Sequence, residues 1–359
     1  MWKEHCLNMH GTLCSTAQTE TISINLRLID VEDRCIVEIQ RCERWVALSY
    51  VWGNANKLVL TSDILGQYQE HGSIKPGVTS ATIEDAITVT RILGERYLWV
   101  DSLCILQDSE ADKELYIPLM GFIYGKALLT IICASGSSAE AGLPGIQVSS
   151  RKMQPLVFKT GTTTFMTTLD PEDTEGWSYT TSSAWCTRAW TLQERLFSKR
   201  ALIFTPELIY WECQKATWRE DSFWEVSSSP NFYQACWGDK SFWNHDRLAT
   251  LWRSDEFNFV DLYRQLVSHY TQLHLSFNED GLNAIAGIVN DLKRRSGYNF
   301  IWALPTPFLS AFLAWEDYST YEDVIPGRHY RRTAQCNFPN ETGISRRCHF
   351  PSWSWVGWT

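Results

Sequence analysis

The chain has 359 residues, 44% hydrophobic and 20% charged, with a formal net charge of −9. That balance describes a folded globular protein of two or three domains, or one domain with additions, and excludes the disordered class. The basic clusters Lys293-Arg294-Arg295, Arg331-Arg332 and Arg346-Arg347 are short and scattered, so no nucleic-acid partner is expected.

Met1–Cys6 lacks the apolar core of a signal peptide, and no apolar run approaches the roughly 18 residues of a membrane span. The expectation is a cytoplasmic protein, intracellular and not secreted, with no membrane span. Eleven cysteines occur, an odd number with no C-x-x-C pair, and Cys104 and Cys133 sit inside apolar runs. Neither a disulfide framework nor a zinc site is expected from that usage, only buried thiols in a reducing compartment.

Residues 1–39 read as an N-terminal extension. Ile22–Ile29 and Cys35–Ile39 alternate loosely about Asp30-Val-Glu-Asp33, which predicts a short hairpin. Val46–Tyr50 is a compact apolar run entering Trp52-Gly53-Asn54, a strand followed by a ligand-facing loop. After the break at Pro76-Gly77 comes a helix: Thr82 is its expected cap, Glu84 and Asp85 suit the first turn, and Gly94 ends it. Tyr97–Val100 follows as a buried strand, which makes half of a βαβ unit.

Asp112–Lys126 predicts a returning helix that starts near Ile117 or kinks there, because Pro118 cannot sit in a helix interior without losing a hydrogen bond. Ala127–Ala134 is β-branched and uncharged, as a central parallel strand should be. Ser135–Gly145 reads as a loop and 146–185 has no clear period. Arg188–Leu196 is an expected helix with Leu192 and Leu196 inward, followed by a hairpin of Ala201–Thr205 and Leu208–Cys213.

Residues 214–256 read as a connection. Two amphipathic helices follow, one marked by Phe259, Leu262, Tyr263, Leu266, Val267 and Tyr270, the other by Leu282, Ile285, Ala286, Val289 and Leu292. The tail Phe350–Trp358 is strongly aromatic and stops abruptly, so a longer native chain is expected. The domains expected are thus 1–39, an α/β domain over 40–213, and a helical, aromatic region over 214–359.

Three Trp-bearing blocks stand out: Trp45-Val-Ala-Leu-Ser-Tyr-Val-Trp-Gly53, Tyr97-Leu-Trp-Val-Asp-Ser-Leu-Cys-Ile-Leu-Gln-Asp108 and Arg188-Ala-Trp-Thr-Leu-Gln-Glu-Arg195. Each carries an apolar stretch and then presents polar groups, which is how α/β proteins place a site at the ends of buried elements. Together they resemble the signature motifs of the fungal heterokaryon-incompatibility (HET) domain. Ala81-Thr-Ile-Glu-Asp-Ala86, the Met120, Ile123-Tyr124 and Ala127 spacing, and Trp211-Glu-Cys213 match as well. Asp280-Gly-Leu-Asn-Ala-Ile-Ala-Gly287 and Pro351-Ser-Trp-Ser-Trp355 resemble elements that commonly follow that domain.

The resemblance implies a TIR-like, flavodoxin-like parallel sheet and a cell-death effector of heterokaryon incompatibility, a form of innate immunity. It also implies hydrolysis of NAD at the nicotinamide–ribose bond, with NAD as substrate and no cofactor. The alternative is a non-catalytic signalling module acting by self-association or partner binding.

Cleavage of NAD passes through an oxocarbenium-like ribose that a carboxylate stabilises. The pattern the resemblance leads one to expect after the second strand is Asp-Trp-x-x-Glu. Asp112 matches it, but Lys113 replaces the Trp and Tyr116 stands at the Glu position. Glu114 lies two residues earlier, about 200° round a helix, and Glu194 is a second candidate for the missing carboxylate. Asp101, just past its strand, either takes a ribose hydroxyl, holds an arginine, or caps the next turn.

Arg188 is the expected clamp for a pyrophosphate or partner of Asp101, with Trp190 and Gln193 on the same helix. An inter-element ion pair fixing that helix on the sheet is the structural alternative. Ser49, Tyr50, Trp52 and Gly53 complete the candidate pocket, Gly53 allowing close backbone approach and Trp52 offering a stacking face or simply core packing. No His lies in the three blocks, so a Ser or Cys nucleophile at Ser102 or Cys104 is not favoured. No metal site is expected.

Overall fold

The structure, a computed structural model, describes residues 1–14, 25–40, 44–53, 58–147, 151, 157–167, 183–221, 247–254, 258–313, 347, 349–351 and 353–358. Asn54 of the expected turn, parts of the 146–185 and 214–256 stretches, and Arg331-Arg332 and Arg346 lie outside them.

Ten of the twelve strands among the described residues precede the C-terminal helices: β1 (Leu26–Asp30), β2 (Cys35–Ile39), β3 (Val46–Ser49), β4 (Tyr97–Trp99), β5 (Leu129–Cys133), β6 (Val157–Thr160), β7 (Thr163–Met166), β8 (Arg200–Phe204), β9 (Ile209–Cys213) and β10 (Thr217–Arg219). β6 and β7 pair separately; the other eight form one sheet in the order β10-β9-β8-β5-β3-β4-β1-β2. The inner four, β8-β5-β3-β4, are parallel. An antiparallel hairpin extends each edge.

This split follows from the sequence. β3, β5 and β8 are buried along their whole length, as strands covered on both faces must be. The β1–β2 hairpin turns through Asp30, whose Oδ1 accepts the N–H groups of Glu32 (3.0 Å) and Asp33 (3.1 Å), an Asx-type turn.

Between β3 and β4 the helix Ala81–Ile92 forms as expected and stops at Gly94, whose φ of +73° suits glycine. Its start differs from the expectation. Ser80 is the extended residue before the first turn, and Thr82 lies inside the helix, buried, where its hydroxyl accepts the N–H of Gly142 at 3.2 Å. Asp85 likewise turns inward and accepts the Leu143 N–H at 2.7 Å, pinning the loop after β5.

Pro118 produces a kink: helices Glu110–Tyr116 and Met120–Lys126 are joined by a 3-10 turn over Ile117–Leu119. Such a turn tolerates the missing N–H. The later helix marked from Leu282 starts as a 3-10 turn at Asn283–Ile285 and becomes α-helical over Ala286–Ser296.

Two apolar clusters meet at one helix, Ala189–Phe197. Ala189, Leu192 and Leu196 belong to the C-terminal cluster with Leu262, Tyr263, Leu266, Ile285, Ile288 and Trp355, while the sheet and its flanking helices form the other. Trp355 donates its indole N–H to the Tyr263 hydroxyl at 2.8 Å, which ties the aromatic tail into this cluster. No helix among the described residues is long and apolar enough to cross a membrane.

Candidate functional site

The four parallel strands run in the order second, first, third, fourth (β4, β3, β5, β8). The chain passes from β3 to β4 on one side and then back across β3 to β5 on the other, so the carboxyl ends of β3 and β5 flank a switch point, where open α/β sheets place ligands.

Ser49 is the last residue of β3 and is buried. Its hydroxyl donates to the Glu194 carboxyl and accepts the Trp185 indole N–H at 2.7 Å. Glu194, only 4% exposed, comes from the Ala189–Phe197 helix. The Tyr124 hydroxyl donates to the Leu48 carbonyl at 3.1 Å and also reaches the Glu194 carboxyl.

Asp101 follows β4 and opens a short helix, Asp101–Cys104. Its Oδ1 accepts the Ser102 N–H at 2.7 Å, the local turn-capping bond that the sequence left open as one of its roles. The Trp52 indole N–H points at the same carboxyl, 3.0 and 2.9 Å from its two oxygens. Beside it the Tyr50 and Ser102 hydroxyls share a hydrogen bond of 2.8 Å. Arg188, half-buried, donates from Nη1 to the Tyr50 carbonyl at 3.0 Å, which moors the helix on the end of β3. Among the described residues it makes no direct ion pair with Asp101.

Burial raises the carboxyl of Asp101 to about 6, against the opposing pull of the Ser102 N–H, the Arg188 charge and the Trp52 donor. Burial, then the charge of Asp101, lifts Glu194 to about 7 against the Ser49 bond, Arg188 and Tyr124. The Tyr50 phenol is pushed well up by burial and by Asp101. Two acids with raised pKa values facing one cation at strand ends form the kind of constellation that proton-transfer and charge-stabilising sites use.

The structure thus brings together Ser49, Tyr50, Trp52, Asp101, Arg188 and Glu194. It does not bring in the remaining candidates. Glu114 is exposed on the outer face of the Glu110–Tyr116 helix. Tyr116 is buried in contact with β1, donating to the Asn25 carbonyl at 2.7 Å, with the Arg27 guanidinium 4.9 Å from its ring centre.

Gln193 is fully buried but faces the other way. Its amide N–H approaches Met120 Sδ at 3.9 Å, and its Oε1 lies 2.8 Å from where a Cβ on Gly287 would stand. Trp190 donates to Asp280 at the seam with the C-terminal cluster. At Gly53 (φ +62°) the close approach is made by protein rather than left for a ligand: a Cβ there would lie 2.6 Å from Ser138 Cβ.

Sequence reasoning missed Trp185 and Tyr124 as members. Tyr124 is visible as part of the HET-like spacing with Met120, Ile123 and Ala127, which assigns it no place in the site. Trp185 stands three residues before the third block, and that proximity was its one signal.

The fold and cluster define an α/β protein whose parallel core presents a carboxylate pair at its strand ends. Residues 45–194 match the family described as heterokaryon incompatibility protein (HET). The chain thus carries a HET domain over that segment, which contains every residue of the cluster. No curated protein and no solved structure matched the chain.

Proposed function

We propose that this chain is a HET-type cell-death effector whose HET domain binds NAD at the carboxyl edge of β3 and β4 and hydrolyses its nicotinamide–ribose bond. The observation that carries the reading is the convergence of Asp101 and Glu194 about the carboxyl end of β3, next to the switch point, with Arg188 beside them. The second-first-third-fourth order of the parallel strands is that of flavodoxin-like sheets and supports the TIR-like reading of the fold.

In this reading Arg188 pairs with the pyrophosphate and the Trp52 ring packs on the nicotinamide. The bond between the ring nitrogen and ribose C1′ breaks, and neutral nicotinamide leaves with the electron pair. The cationic ribose is stabilised by the ionised member of the acid pair. Water adds its oxygen to C1′, and its proton passes to the carboxylate and then to solvent, giving ADP-ribose and nicotinamide.

The test is nicotinamide release from NAD by the purified chain. Turnover lost in Glu194→Gln and Asp101→Asn but kept in Glu114→Ala is the expected result. No turnover at any protein concentration removes the enzymatic reading. A second reading rests on Tyr116: the position that the resemblance gives to a glutamate is filled by a phenol bound to Asn25. In that reading the domain signals by self-association or partner binding, and NAD shifts its melting temperature without being consumed.

A further inference from the structure

At the opposite, amino-terminal end of the parallel strands, four side chains with metal-ligating atoms converge: Cys6, His10, Cys14 and Cys213. All four are buried, and their ligand atoms lie within 4.8 Å of one another. His10 Nδ1 is 3.2 Å from Cys213 Sγ and 3.8 Å from Cys14 Sγ. A tetrahedral zinc site with Zn–S near 2.3 Å and Zn–N near 2.0 Å places its ligand atoms about 3.5–3.8 Å apart, so a small inward adjustment of these groups completes one. Cys6, His10 and Cys14 are spaced by four, one helical turn each, along helices Trp2–Met9 and Gly11–Cys14. The C-x-x-C criterion is blind to that spacing and to a fourth ligand supplied by β9, which is why the sequence led us to expect no zinc site.

We propose that Cys6, His10, Cys14 and Cys213 bind one structural Zn²⁺ that fastens the N-terminal segment to the sheet. The surroundings fit a metal thiolate centre. Arg200, 2% exposed, donates to the Leu128 carbonyl (2.9 Å), the Cys14 carbonyl and Cys6 Sγ (3.4 Å). No carboxylate among the described residues pairs with it. A buried guanidinium needs a counter-charge, and Zn²⁺ with three thiolates and a neutral imidazole carries a net −1.

The Ala216 N–H also points at Cys213 Sγ, 3.3 Å away, from the turn after β9. Such N–H donors to sulfur orient thiolate ligands. Trp218 closes the other side, with its ring centre 5.5 Å from that of His10. Four protein ligands in a closed, aromatic-walled cage leave no open position, as in structural rather than catalytic zinc sites.

The test is metal analysis of the full chain purified under reducing conditions without chelator, with cobalt(II) substitution as the second readout. The expected result is about one zinc per chain, released when the thiols are blocked with a mercurial. The cobalt form should show the intense visible bands of tetrahedral coordination and thiolate charge transfer. Cys14→Ser and Cys213→Ser should lose the zinc and Cys104→Ser should keep it. Arg200→Met should weaken zinc binding about 10–100-fold. The proposal is overturned if the reduced wild-type chain contains no zinc and takes up none on addition. It is equally overturned if a disulfide among Cys6, Cys14 and Cys213 is found in place of metal, or if cobalt gives an octahedral spectrum.

Discussion

The indole N–H of Trp52 sits almost equally far from both oxygens of Asp101, at 3.0 and 2.9 Å, and so joins the ends of two neighbouring parallel strands. A donor aimed at a carboxylate favours its ionised form. Trp52→Phe should therefore raise Asp101 further above about 6. The cost to stability should be about 1–3 kcal/mol at pH 8 and distinctly smaller at pH 5, where the acid is protonated. Urea unfolding at the two pH values checks this; an equal cost at both would mean that the ring acts through packing alone.

Glu194 makes the protein less stable as pH rises. Its folded pKa of about 7 lies above the ordinary 4.5, so between those values the folded chain holds a proton that the unfolded chain has released. Asp101 acts in the same sense between 3.8 and about 6. Stability should fall on the order of 4 kcal/mol from pH 5 to 7.5, the larger share from Glu194. Glu194→Gln, which cannot ionise, should flatten that slope in a melting-temperature series; an unchanged slope would place the titration elsewhere.

Gly53 and Gly77 both have positive φ, +62° and +83°, but only Gly53 is crowded, since a methyl group added there would lie 2.6 Å from Ser138 Cβ. Gly77→Ala should cost about 1 kcal/mol, the backbone strain alone. Gly53→Ala should cost at least about twice that, read as a difference in denaturation midpoints. Equal midpoints would show that the loop around Ser138 yields freely.

Glu114 and Tyr116 make a contrasting pair on one helix. Glu114→Ala, at an exposed position, should change stability by less than about 0.5 kcal/mol and leave NAD turnover untouched. Tyr116→Phe should cost about 1 kcal/mol, because the Asn25 carbonyl loses its donor. A large effect of Glu114→Ala on turnover would return that residue to the site.

The parallel strands were legible because β3 and β5 are uninterrupted apolar runs, and Pro118 announced its own kink. Asp101 and Glu194 were legible as candidates from strand-end and helix position. Their surroundings were not. Periodicity says which residues share a helix face but not what lies against that face, so Gln193 could not be told from Glu194. The partners that decide the matter are remote in sequence: Ser49 and Glu194 are 145 residues apart, and His10 and Cys213 are 203 apart. Ser80 displaced Thr82 at the helix start because Thr82 is spent on Gly142, a contact made only in the folded chain.

The Ala189–Phe197 helix works like a dial with several pointers. Leu192 reaches the C-terminal cluster, Gln193 reaches Met120 and Gly287, and Glu194 reaches Ser49. Each residue step is about 100° of rotation. A slip of one step would therefore set neutral Gln193 or cationic Arg195 where Glu194 now stands. The charge at the strand ends is thus an angular setting, and residues that lie well past the HET segment hold it in place.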